Sequence, residues 1–144
     1  GQGTILVKYE WVSLGLGNGD YSIRGFIIAG KPRISIERKS LSDLYSTILS
    51  ERDRFVRELE QLNSMEYAAV IVEAPMEKVL TYCPKYWKDN NISVEAQLSK
   101  RRSVMGSIYA WQLRYPTVRW WFVSRRYCPI LCYRLLSVFY EENK

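Results

Sequence analysis

The chain has 144 residues, 47% of them hydrophobic and 14% aromatic, which excludes disorder and is long enough for one domain with a real core. Its formal charge of +6 suits a polyanionic partner. Histidine is absent, so the usual general base and any histidine-dependent nucleophile triad are excluded, and a zinc site is improbable.

In chain order, residues 5–16 alternate Ile5, Val7, Tyr9 and Trp11 with Leu6, Lys8 and Glu10, a period of two that predicts a strand. Gly17-Asn18-Gly19 supplies a turn, because Gly and Asn tolerate positive φ. Residues 21–29 read as a second strand interrupted by Gly25, Gly30-Lys31-Pro32 as a turn, and residues 33–39 as a third strand with Ile34 and Ile36 on one face. Strands joined by short connections usually pair, so Asp20 is expected near Glu37 and Lys39. Glu37 and Lys39 share one face of their strand, and Arg38 points the other way.

Residues 41–49 carry apolar side chains at helical spacing, and the pattern resumes at Phe55, Val56, Leu59 and Leu62 after a break or kink at residues 50–53. Residues 68–72 form a fully buried type of strand with Glu73 at its end, and residues 75–80 a helix with Pro75 in its first turn. The polar and aromatic residues 82–98 read as a long loop, a candidate wall of a groove. A helix over residues 103–115, capped by Ser99 or Ser103, precedes a strand at 118–123. Tyr127, Leu131, Leu135 and Val138 mark a final amphipathic helix. Cys83, Cys128 and Cys132 are odd in number and contain no Cys-x-x-Cys pair; Cys128 and Cys132, one helical turn apart, leave a redox or metal role open, with reduced packing residues as the default.

The acids and the lysine of the first strands form the most informative group. Asp20, Glu37 and Asp43 offer hard oxygen donors for a cation such as Mg²⁺, which polarises a phosphate and activates water. Lys39 can orient that water and offset charge growing on the phosphate. Taken singly, Gly19-Asp20 is an ordinary turn, Glu37-Arg38-Lys39 a solvated charge run and Asp43 a helix start, where negative charge is welcome. Their order and spacing together are far more specific, and point to metal-assisted phosphodiester cleavage.

Gly19-Asp20 followed by Glu37-Arg38-Lys39 and, four residues on, Asp43 resembles the G-D-x(n)-E-R-K-x(3)-D signature of the XPF-type nuclease domain. Arg52-Asp53-Arg54-Phe55-Val56-Arg57-Glu58-Leu59, Ala69-Val70-Ile71-Val72-Glu73 and residues 103–112 resemble compact bacterial and phage members, so the likeness runs from about Val7 onward. The resemblance implies an α/β, restriction-endonuclease-like fold, with a mixed central sheet flanked by helices. It also implies a Mg²⁺- or Mn²⁺-dependent DNA endonuclease, in many relatives selective for branched or flapped DNA in repair or recombination. By position, Asp20 and Glu37 are implied metal ligands and Lys39 the catalytic lysine. Arg38 and Asp43 belong to the motif as well, with Arg38 either touching phosphate or pairing with Asp43. Glu73 is a weaker candidate for the rim of the site.

The sequence departs from that family pattern at one point. Members carry an earlier strand ending in Asp-x-Arg-Glu, and Val7-Lys8-Tyr9-Glu10 does not match it, although Glu10 offers a substitute carboxylate. The expectation is a chain that has lost its first catalytic strand or one that works with fewer ligands. The alternative to an active enzyme is a catalytically incomplete DNA-binding or dimerisation module of the same fold, pairing with itself or with a nuclease partner. No helix-hairpin-helix module is visible.

Lys100, Arg101, Arg102, Arg114, Arg119, Arg125, Arg126 and Arg134 follow one another with no intervening acid. Lys100, Arg101, Arg102, Arg125 and Arg126 are the candidate DNA contacts, supplying affinity through phosphate without regard to base sequence. Trp111, Trp120 and Trp121 have the spacing of core residues and, alternatively, the chemistry to stack on unpaired bases. No signal peptide, membrane span or nucleotide-cofactor motif is visible, and a cytoplasmic location is expected.

Overall fold

The computed structural model describes residues 11–13, 20–23, 26–28 and 30–144, without the side chains of 11–13, 20 and 27. Strands β1 (Trp11–Ser13), β2 (Asp20–Ile23), β5 (Ile34–Lys39), β6 (Tyr67–Val72) and β7 (Val118–Phe122) form one sheet in the order β1-β2-β5-β6-β7. β1, β2 and β5 pair antiparallel, whereas β5, β6 and β7 run parallel. The short strands β3 (Ile27–Ile28) and β4 (Lys31–Pro32) pair separately around Gly30, whose φ of 77° is a conformation glycine adopts without strain. The expected second strand of residues 21–29 is thus divided between β2 and β3. The predicted turn at residues 17–19 and most of the predicted first strand lie outside the described residues.

Parallel neighbours require crossovers, and both are helical. Helices α1 (Leu41–Ser50) and α2 (Arg52–Asn63) link β5 to β6; α3 (Met76–Leu80), α4 (Lys85–Asp89) and α5 (Val94–Arg114) link β6 to β7. The chain breaks at Glu51, inside the segment where the sequence predicts a kink. Alternate residues of β6 enter two cores. Ala68, Val70 and Val72 pack with Leu44, Phe55, Leu59, Ile108 and Trp111 under α1, α2 and α5. Ala69 and Ile71 pack with Tyr21, Ile36, Cys128, Cys132 and Leu136 under α6 (Cys128–Asn143). Burial on both faces accounts for the unbroken apolar run of β6.

Four expectations change. The loop predicted at 82–98 contains α4 and the first turn of α5; Asn91, at φ 55°, makes the bend between them. Ser93, rather than Ser99 or Ser103, caps α5 by accepting a hydrogen bond from Ala96 N at 3.1 Å. The opening of α5 is polar because its buried residues begin only at Val104. Pro75 is the N-cap of α3, not part of its first turn. In α6 the buried stripe is Cys128, Cys132 and Leu136, while Tyr127 and Val138 are exposed. That helix is apolar nearly all round, so periodicity leaves its inner face ambiguous, and the smaller cysteine face is the one that closes on the sheet. All three cysteines are free.

Candidate active site

The candidate residues gather where β5 ends. Asp20 is the registered partner of Glu37, while Glu37 and Lys39 pair with Val70 and Val72 of β6. Because Val70 and Val72 face α1, α2 and α5, so do Glu37 and Lys39; Arg38, paired with Ile71, faces α6. The predicted division of faces is therefore observed, and the antiparallel β2–β5 ladder brings the Asp20 backbone opposite Glu37.

Glu37 is 8% exposed and lies 3.7 Å from Lys39, measured from Oε1 to Nζ. Lys39 Nζ also donates to Thr47 Oγ1 at 3.5 Å and lies 5.2 Å from the centre of the Phe55 ring. These contacts hold the ammonium beside the carboxylate on the sheltered face. Thr47 is not among the residues singled out from sequence; its signal is a polar side chain between buried Leu44, Tyr45 and Ile48 on α1. Ser40 caps α1 directly after Lys39, accepting from Asp43 N at 3.2 Å. The Asp43 side chain is exposed in the first helical turn, where the positive end of the helix favours it.

The ion-pair partner of Arg38 is not Asp43. Arg38 pairs with Glu73 at 2.9 Å, and both side chains are mostly buried. Burial opposes the guanidinium charge, but Glu73, with Tyr21 and Cys128 nearby, holds the Arg38 pKa above its ordinary value. Glu73 follows β6 directly and donates its backbone N–H to Lys39 O at 2.8 Å, so the two strand ends are joined through both backbone and side chain. The exposed Arg125 also reaches Glu73, at 3.8 Å. Under this cluster Cys128 is pushed up by burial, and Cys132, deeper, is pushed up to about 12 by the same cause.

The basic residues divide into structural and open groups. Arg101 donates to Tyr82 O at 2.8 Å, and the Tyr82 ring lies 4.2 Å from that of Tyr45 on α1. This chain of contacts sets the Lys100-Arg101-Arg102 stretch of α5 beside α1, whose first residue follows the site. Arg102 is exposed and Lys100 partly so. Arg125 and Arg126 form a single 3₁₀ turn, Arg125–Tyr127, after β7, with both side chains exposed. Trp111 is buried in the core and Trp120 packs against it, but Trp121 is 37% exposed.

Among the described residues, no three acidic or cysteine side chains converge as a metal-binding group. Glu37 offers a hard carboxylate oxygen of the kind Mg²⁺ takes, one or two carboxylates commonly sufficing with water and substrate phosphate completing the shell. No described helix is long and apolar enough to cross a membrane.

No family profile matches the chain, and no curated protein matches it. Among solved structures it is similar to XPF from Aeropyrum pernix in complex with DNA, with TM-score 0.51 and 20% identity. The match covers 78% of this chain and 47% of that one, so the chain spans about half the length of this neighbour. The likeness shows the fold: an α/β, restriction-endonuclease-like arrangement with a mixed sheet between helices.

Proposed function

We propose that the chain is a metal-dependent DNA endonuclease that hydrolyses phosphodiester bonds, selective for branched or flapped DNA in repair or recombination. The observation that carries this reading is the register of Asp20 on Glu37 with Lys39 Nζ 3.7 Å from the Glu37 carboxylate, in an XPF-like fold. Asp20 and Glu37 are the ligands for Mg²⁺ or Mn²⁺. When bound, the ion supplies Lewis-acid activation of phosphate and water. Lys39 orients the attacking water and balances charge developing on the phosphate oxygens, an effect strengthened by its sheltered position. Arg38 holds the strand end from behind through Glu73, and Asp43 tunes the start of α1 beside the site. Lys100, Arg102, Arg125 and Arg126 take the DNA backbone, while Arg101 secures the first half of α5.

A second reading is a DNA-binding or dimerisation module with an incomplete site. The mismatch of Val7-Lys8-Tyr9-Glu10 with the Asp-x-Arg-Glu element favours it. Labelled flap, fork, Holliday-junction and plain duplex DNA, incubated with the protein in Mg²⁺ and in Mn²⁺, separate the two. Metal-dependent cutting of branched substrates that disappears in Glu37→Ala supports the enzyme; salt-sensitive binding without cutting supports the module.

A further inference from the structure

A second feature lies along β7, at the end of the sheet order β1-β2-β5-β6-β7. A groove of about 470 Å³ opens beside β7, lined by Tyr67, Gln112, Arg119, Trp120 and Trp121 among others. β7 ends the sheet, so among the described residues one edge of it has no neighbouring strand. Arg119 and Trp121 are in register with Ala69 and Ile71, which α6 covers, yet both are themselves exposed. Trp120 walls the groove from the opposite face of the strand, and its Nε1 is buried without a hydrogen-bond partner.

We propose that this groove binds an unpaired nucleobase of single-stranded DNA, with Trp121 as the stacking surface and Arg119 as the phosphate contact. Aromatic faces stack on any base, and an arginine beside them tracks the backbone. Gln112 adds an amide that both donates and accepts hydrogen bonds, the complement of a base edge. The volume lies within the range of about 300–1,000 Å³ usual for small-ligand sites. Charge favours a polyanion over a second copy of this chain. Residues 100–134, which supply every named lining residue except Tyr67, contain no acid, so self-association here would set one Arg119 against another.

Tyr67 opens β6 and Val72, the partner of Lys39, closes it. At roughly 3.3 Å per residue, the Tyr67 end of the groove lies about 17 Å along the strand from the candidate site, whereas Trp121 is level with Ile71, one residue before Val72. The inference rests on the nuclease reading for its biological sense: an unpaired strand held in the groove would fix where a branched substrate meets Glu37 and Lys39.

The test is anisotropy of labelled oligothymidylate and of labelled duplex, both in EDTA, with wild type, Trp121→Ala and Arg119→Gln. Trp121→Ala is expected to weaken oligothymidylate binding about 5- to 150-fold, the loss of one stacked base, and to leave duplex affinity unchanged. Arg119→Gln is expected to lower the salt slope for oligothymidylate by about 0.7. Unchanged oligothymidylate affinity in both variants overturns the proposal, as does an equal loss on duplex. A dimer in sedimentation that Trp121→Ala splits also overturns it. Cutting lost in Glu37→Ala with oligothymidylate affinity unmoved by Trp121→Ala removes the groove and keeps the nuclease. A wild type that holds oligothymidylate through Trp121 but cuts nothing removes the nuclease and keeps the groove.

Discussion

At the scale of single residues, Glu37 and Lys39 have chemistry to offer, while Arg38 between them holds structure. Arg38 and Glu73 are both mostly buried, so removing either partner leaves a desolvated charge behind. Arg38→Ala is expected to destabilise the fold by about 2–3 kcal/mol, somewhat below a fully buried pair, as read by urea unfolding. Cys132 makes a separate prediction through pH. Its folded pKa is about 12 against 9.0 for the ordinary thiol, so the neutral form favours the folded state. Its full contribution is present below pH 9.0 and is lost as pH rises towards 12. Between pH 8 and pH 10 this one group is expected to remove about 1.4 kcal/mol of stability, and Cys132→Ala is expected to show that much less alkaline loss in urea melts. The alternation placing Glu37 and Lys39 on one face was legible in the sequence. The partner of Arg38 was not, because Glu73 is 35 residues away and reaches it only through the parallel pairing of β5 with β6.

At the scale of elements, local signals succeed where a segment meets one environment. β5, α1, α2 and β6 fall where apolar spacing places them, because each buries a distinct face or run. α5 is harder to read: its first turns are polar and partly exposed, and only the cap identifies its start. Ser93→Ala is therefore expected to cost about 1 kcal/mol, whereas Ser99→Ala, in the helix interior, should be near neutral by thermal unfolding. The inner face of α6 was hidden for the opposite reason, since its apolar residues cover several sides and only tertiary packing chooses among them.

Across the whole molecule, the two basic clusters belong to different elements that sequence distance conceals. Arg101 ties α5 to the Tyr82–Tyr45 stack, leaving Arg102 to face solvent. Arg102→Ala is expected to weaken binding to every duplex alike and to lower the slope of log affinity against log salt by about 0.9. Arg101→Ala should instead cost stability, through the orphaned Tyr82 carbonyl. A difference in sequence preference for Arg102→Ala would count against a phosphate contact.

The proposed nuclease stands or falls on Asp20 and Glu37, which β2 and β5 bring into register, acting as a metal-dependent cutting site. Cleavage of labelled flap DNA in Mg²⁺ by wild type and by an Asp20→Ala/Glu37→Ala double variant tests it most directly. Wild type is expected to cut in a manner that EDTA abolishes, with at least a 10²-fold loss in a double variant that stays folded and still binds DNA. Equal cutting by both proteins, or none by a folded wild type that binds the flap, would contradict it.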